Sequence, residues 1–416
     1  MKTKHLIVTT PQGRAGDLLR ESQYVFNYRN THPACEVSLL MPLRAQSYSG
    51  NLLPPVFSMS LPEGYLAHRL VERLAKFEKV DDMRLLSITG HHQIGRLQFE
   101  TPDAPPLRKR TDVGLKQLLS ERASHEMFEH LVETYFDSGI SGMQPKVMIP
   151  DADKAPWDPA TVVHSDLIVK TGGDDYPHLS VNEFLCMEAA RRAGMVVPDF
   201  WLSDDGALFV MRRFDLVEGV QLGFEDMTVL MNKPREPTGH YKYSQSYEDI
   251  ARIIQMLCRD RALESLQRFY EAIVLSVAVR NGDAHLKNFG LLYDHPAAES
   301  APRLSPLYDV VTTAAYDDLN LRTGKMQTDR TLALKMNKSK SYPTREALIA
   351  FGKQHCHVRS PEKIIERIGE AMHDTLNAQD DRVETAFFQR LSREWQDGLA
   401  SISPPRKHAV SVAPRA

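Results

Sequence analysis

The stretch "RNGDAHLKNFGLL", residues 280–292, decides how this chain is read. It crowds Asp283, His285, Lys287 and Asn288 onto one short loop. Before it lies "LESLQRFYEAIVLSVAV", apolar nearly all round and so expected to be a buried central helix. After it come "FGLLYD" and "PRLSPLYDVV", which bracket a polar "HPAAESA" and read as a hairpin ending near Asp309. An acid, an amide five residues later, a hairpin and a second acid form a set of hard oxygen donors. Such donors suit Mg²⁺, which takes one or two carboxylates together with phosphate oxygens.

That order is the one protein kinases use, where the first acid accepts the proton of the substrate hydroxyl and the later amide and acid hold metal. The reading asks for two upstream parts. A lysine on a strand is supplied by "LIVK" at Lys170. A small-residue loop whose N–H groups can approach phosphates is supplied by "GISGMQPK", with Gly139 and Gly142. Neither a Walker A motif nor the GxGxxG pattern occurs. Asp283 and Asn288 alone would also suit a helix end and a turn.

Composition sets the frame. At 416 residues, two or three domains are expected. A formal net charge of −3 gives no global field toward nucleic acid or membrane. The four scattered cysteines show no CxxC spacing and fit a reducing cytosol. The longest apolar run, "AIVLSVAV", is too short to span a bilayer, and the N-terminus has no signal-length apolar core. A cytoplasmic protein is expected. The "HCH" at 355–357 carries no metal reading, because three successive residues cannot converge on one ion.

Along the chain, "HLIVTT" and "PQGRAGDL" read as a strand and hairpin turn, and "EGYLAHRLVERLAKFEKV" as a helix. "TPDAPPLRKR" (101–110) is a Pro-rich, basic boundary. "HSDLIVK" and "ALFVMRRFD" read as strands. "SVNEFLCMEAARRAG" reads as a helix with Ser180 and Glu183 as a capping box and Gly194 as its stop. The kinase order also wants an acid on this helix to pair with Lys170, and Glu183 serves either reading. "NKPREPTGHYKYSQS" (232–246) is a polar loop of the kind that often carries function. Ser246 and Asp249 cap the next helix, and the chain after the hairpin reads as helices to about Ile402. The tail "SPPRKHAVSVAPRA" has the composition of a disordered segment.

Together "SLLMPL", "ISGMQPK", "LIVK", "NEFLCMEAARRAG", "RRFD", "RNGDAHLKNFGLL" and "LSPLYDVV" resemble the HipA-type serine/threonine-protein kinase toxins of bacterial toxin–antitoxin pairs. The resemblance runs over nearly the whole chain. It implies an α+β, two-lobed protein-kinase-like fold with an N-terminal β-rich subdomain and a mainly helical C-terminal lobe. The divisions expected are 1–105 for the subdomain, 106–215 for the N-lobe with the phosphate loop, 216–402 for the C-lobe and 403–416 for the tail.

The resemblance also implies ATP and Mg²⁺. Asp283 would be the catalytic base, with His285 and Lys287 in its signature and Lys287 near the transferring phosphate. Asn288 and Asp309 would hold metal, and Lys170 the α- and β-phosphates. Gly139, Ser141, Gly142 and Lys146 would belong to the phosphate loop, and Met211, Arg212 and Phe214 to the hinge that holds adenine by backbone groups. Family loops commonly read S-x-S-G-x-Q-x-K and are silenced by phosphorylation of their own serine. Here the first serine position is Gly139, so Ser141, then Ser138, are the self-phosphorylation candidates. The family often has an acid where Arg212 stands. The implied partners are a small helix-turn-helix antitoxin, DNA only through that antitoxin, and a protein substrate such as an aminoacyl-tRNA synthetase. No membrane is implied. The competing function is a non-catalytic partner of the antitoxin in DNA-bound autorepression, and a third is a small-molecule kinase of related fold.

Overall fold

The computed structural model describes residues 3–75, 80–103, 113–120, 124–135, 138–139, 144–154, 165–173, 175–236, 238–320, 324–378 and 382–404. Most of the boundary at 101–110, the phosphate-loop residues Ser141 and Gly142, and nearly all of the tail lie outside these residues.

The N-terminal part is a five-stranded antiparallel sheet. β1 (His5–Thr10) pairs with β2 (Gly13–Arg20), which continues through β3 (Tyr24–Tyr28) to β4 (Tyr48–Gly50), and β5 (Gln98–Glu100) closes the other edge of β1. The strict alternation in β1 turns Leu6 and Val8 inward, where they share a core with Phe26, Phe57 and Phe99. Gly13 sits at φ +115, a conformation the tight β1–β2 turn demands and side chains resist. The helices α1 (Gly64–Ala75) and α2 (Asp82–Thr89) follow.

A second antiparallel sheet is built from β6 (Lys146–Ile149), β7 (Leu167–Thr171), β8 (Phe200–Leu202) and β9 (Leu208–Arg212), ordered β8-β9-β7-β6. Period-2 alternation decides what each face carries. Val147, Ile149, Leu167, Val169, Leu208 and Val210 face one way and pack beneath Phe128 and Leu131 of α3 (Ser124–Thr134). Met148, Ile168, Phe209 and Met211 face the other way into the main core, so Lys146 and Lys170 point to that side too. Against it lies α4 (Leu179–Arg192). Its start corrects the expected capping box. His178 precedes the helix at φ 60 and makes no side-chain cap, and Ser180 Oγ donates to the Ala207 carbonyl at 2.8 Å. Glu183 is thereby free to turn inward.

The C-terminal part is organised around α6 (Ala262–Ala278), buried along most of its length, with α5 (Tyr247–Leu257) alongside. Ser246 and Asp249 form the full capping box of α5. A three-stranded sheet joins β10 (Gly223–Asp226), β11 (Gly290–Tyr293) and β12 (Arg303–Leu304), and β11–β12 is the expected hairpin. The expectation of helices throughout the region after Asp309 fails. Two further hairpins, Asp318–Asn320 with Lys325–Gln327 and Thr331–Met336 with Ser339–Ser341, come before α7 (Arg345–Gln354), α8 (Pro361–Asn377) and α9 (Thr385–Ile402). "TLALKM" alternates and carries Thr and Leu at strand spacing, which the helical reading overlooked. Among the described residues no helix is long and apolar enough to cross a membrane.

Candidate active site

The two cleft-facing sides meet across a cavity of about 1120 Å³. One wall is the β6–β9 sheet, which supplies Lys146 and Lys170. The opposite wall is the loop after α6, which carries Asp283 and His285, together with Asp309 beyond β12.

Lys170 is the hub. Its Nζ donates to Glu183 Oε1 at 2.6 Å and to Asp309 Oδ1 at 2.8 Å. Burial opposes the charge on Lys170, but Asp309 and Glu183 more than offset it and hold the ammonium above the ordinary lysine range. Burial likewise opposes ionisation of Asp309, yet Lys170 and Lys146 keep it a carboxylate well below the usual range. Asp309 has φ 60, in the left-handed region that side chains rarely occupy. Its other oxygen, Oδ2, accepts from Asn288 Nδ2 at 3.1 Å. Register places Lys146 directly across from Lys170. Burial lowers the Lys146 ammonium. Lys170 is already balanced by Glu183 and Asp309, so Lys146 is the second buried ammonium on this wall that a phosphate would balance.

The backbone of the Asp283 loop is braced on several sides. Gly282 N donates to Thr313 Oγ1 at 2.7 Å, Asp283 N to Asn281 Oδ1 at 2.9 Å, and Tyr247 OH to the Ala284 carbonyl at 3.0 Å. The Asp283 side chain is exposed at the cleft and accepts from Tyr243 OH at 2.7 Å. His285 is buried beside it, with its ring edge-on to Tyr243. Its Nδ1 has no hydrogen-bond partner among the described residues, and burial lowers its basicity.

The remaining candidates divide. Met211 and Phe214 line an apolar slot with Ile94, Ile168, Phe224 and Tyr308. The Phe214 and Tyr308 rings lie 5.1 Å apart and tilted by 30°. A flat apolar slot of this kind fits a planar base. Arg212, next along β9, points to the opposite face, where it pairs with Asp166 at 2.6 Å and Asp151 at 3.2 Å. Its backbone N–H is taken by the Asp199 carbonyl, and that of Arg213 by the Asp166 carbonyl. The slot thus gains nothing from the Arg212 side chain. Lys287 lines the cleft, but its Nζ is held by the Met59 carbonyl at 2.8 Å and Asp226 Oδ2 at 3.1 Å. Lys287 thus ties the Asp283 loop to Met59 of the N-terminal part and to the end of β10. Ser138 and Gly139 form a two-residue strand parallel to His92–Gln93.

The donor set fits a divalent cation. Asp309 offers a carboxylate and Asn288 an amide beside it, the hard-oxygen chemistry that Mg²⁺ prefers. Asn288 Oδ1 now accepts from the His285 N–H at 2.9 Å and its Nδ2 donates to Asp309, so the amide must turn to present its oxygen.

Sequence reasoning missed several contributors. Glu63 and Met59 come from the N-terminal part, Asp226 from the end of β10, and Tyr243 from the polar loop at 232–246. Only that last segment carried a signal, its polar length between two ordered elements.

Fold and site define a two-lobed, protein-kinase-like protein with an added N-terminal β-rich subdomain. Comparison with known proteins agrees. Residues 138–379 match the HipA-like C-terminal domain and residues 6–100 the HipA N-terminal domain. The chain belongs to the HipA family. A relative named "Putative kinase Y4mE" from Sinorhizobium fredii (strain NBRC 101917 / NGR234) is 26% identical over 340 residues, covering 76% of this chain and 78% of that one. "Putative kinase Y4dM" of the same strain is 27% identical over 286 residues, covering 64% and 63%. The fold is also that of HipA from Shewanella oneidensis MR-1, solved with HipB and operator DNA. It superposes with a TM-score of 0.66 at 18% identity over 95% of this chain and 96% of that one.

Proposed function

We propose that this protein is an ATP- and Mg²⁺-dependent serine/threonine-protein kinase acting as the toxin of a type II toxin–antitoxin pair. The observation that carries the reading is the convergence, in one cleft, of Lys170 with Glu183 and Asp309, Asn288 on Asp309, and Asp283 opposite. Kinase-named relatives support it. The chain divides functionally into a subdomain at 1–105, an N-lobe at 106–215 and a C-lobe at 216–402.

The chemistry follows from the groups present. Met211, Phe214 and Tyr308 hold the adenine. Lys170 and Lys146 neutralise the phosphates and keep them against the sheet. Asp309 and Asn288 would hold the cation, which when bound withdraws charge from the β- and γ-phosphates. Asp283 accepts the proton of the acceptor hydroxyl, whose oxygen attacks the γ-phosphorus while the bond to the bridging oxygen breaks and ADP leaves. His285, neutral and buried, stands beside the transfer as a hydrogen-bonding group.

The physiological acceptor is a translation component of the aminoacyl-tRNA synthetase kind, and the neutralising partner is a helix-turn-helix antitoxin through which the pair reaches DNA. The solved relative from Shewanella, crystallised with HipB and operator DNA, supports the partner. Ser141, or Ser138, is the self-phosphorylation site. Intact-mass spectrometry after incubation with Mg-ATP tests the reading. The wild type gains one phosphate, mapped to the 138–146 loop, and Asp283→Ala gains none. A wild type that binds ATP yet labels neither itself nor any lysate protein overturns it in favour of a non-catalytic antitoxin partner.

A further inference from the structure

The polar loop between β10 and α5 ends in a one-turn helix, His240–Tyr243, that the chemistry above leaves unused. It is anchored at both ends of its sequence. Tyr241 is buried, and its OH donates to Glu63 Oε1 of the N-terminal part at 3.1 Å. Two residues on, Tyr243 OH donates to Asp283 Oδ1 at 2.7 Å. The ring of Tyr243 is enclosed as well. His285 meets it edge-on at 5.2 Å, and the Lys242 and Lys340 ammonium groups lie 5.3 and 6.0 Å from its centroid.

The contrast within Asp283 gives this contact its meaning. Its backbone is braced by Asn281, and the neighbouring residues by Thr313 and Tyr247. Its carboxylate has a single hydrogen bond among the described residues, from Tyr243. An exposed aspartate without that bond would sample several rotamers, and a base must sit within hydrogen-bond reach of the proton it takes.

We infer that Tyr243 is the positioning residue for Asp283: its phenol clamps one carboxylate oxygen and so leaves the other to receive the acceptor hydroxyl. This rests on the kinase reading above. Burial and the Asp283 charge push the phenol above its ordinary range, so it stays a donor throughout the working pH. The link through Tyr241 to Glu63 makes the clamp depend on the N-terminal part as well.

The test is Tyr243→Phe, which keeps the ring and removes only the donor. Phosphate transfer to the self-acceptor or to a lysate protein is followed at varied ATP, with ATP affinity and thermal midpoint measured alongside. The expected result is a kcat lowered on the order of tenfold or more, with ATP affinity unchanged. The loss falls in kcat alone, with the KM for ATP unchanged, because the phenol acts on the base and touches no part of the nucleotide site. A purely structural role would lower the thermal midpoint and weaken ATP binding together with kcat, which overturns the inference. A faster variant also overturns it, because the phenol would then be blocking the base. If wild type and Asp283→Ala are both silent while ATP binds, the kinase reading itself has failed and takes this inference with it.

Discussion

Lys170 and Asp309 stand 139 residues apart in the chain and 2.8 Å apart in space. One belongs to the four-stranded sheet and the other to the segment after the β11–β12 hairpin, so the contact ties the two walls of the cleft together. Glu183 completes the group from α4 with its side chain wholly inaccessible.

Removing the cation from this group should be costly. Lys170→Met strands Glu183 as a buried carboxylate and is expected to lose about 3–5 kcal/mol of stability by urea unfolding. Replacing Glu183 with Met in the same protein should recover part of that loss, because the apolar pair needs no compensation while Asp309 still lacks its lysine. A double variant as unstable as the single one would show that the ion pair is not the cause.

The two acids should fail differently. Asp309→Ala removes the carboxylate that faces Lys170 and Asn288, and calorimetry is expected to show productive Mg-ATP binding lost. Asp283→Ala should leave ATP affinity within about twofold while transfer falls by 10²-fold or more. Equal loss of ATP in both would refute the assigned roles.

A pH effect is expected from the seam between the N-terminal sheet and β10. Glu225 accepts from Ser38 Oγ at 2.9 Å, Leu39 N at 2.8 Å and Tyr293 OH. Burial pushes its carboxyl up to about 7 from an ordinary 4.5. The folded state therefore holds this proton more tightly than the unfolded one. The stabilisation is complete below about pH 4.5 and is lost as pH rises to about 7, amounting at most to about 3 kcal/mol. Denaturant midpoints at pH 5 and pH 8 should separate more in the wild type than in Glu225→Gln.

Gly398 offers a test of sign. A Cβ there would lie 1.9 Å from the Ala278 carbonyl oxygen, on the last turn of α6. Glycine to alanine inside an exposed helix stabilises by up to about 1 kcal/mol. Here Gly398→Ala is expected to destabilise by about 1–3 kcal/mol, since the contact is with backbone. Phosphate transfer should fall too, because displacing Ala278 shifts Asp283 five residues on. A stabilised variant would contradict the close packing of α9 on α6.

Much of this was legible because the decisive signals are local. Crowded polar types after an apolar helix marked the Asp283 loop, and the "LIVK" strand marked Lys170. Strand alternation, carried one residue past Met211 along β9, would have turned Arg212 away from the slot. Glu183 was ambiguous because an acid at the third helical position satisfies two patterns equally, and only the left-handed His178 removes one of them. The holders of Lys287 were beyond reach: Met59 is 228 residues away, and no local pattern announces a carbonyl as a partner. Tyr243 is a side-chain contact across 40 residues, equally silent in sequence.

The seam at Glu225 also constrains how the chain is made. Ser38 and Leu39 leave the ribosome 187 and 186 residues before the carboxylate that satisfies them, and the Met59 carbonyl waits still longer for Lys287. At synthesis rates of about 5–20 residues per second, that is a delay on the order of ten seconds or more. During it the first sheet must persist with one flank unsealed, so nascent molecules have a window of vulnerability to sticking and proteolysis that the finished protein does not share.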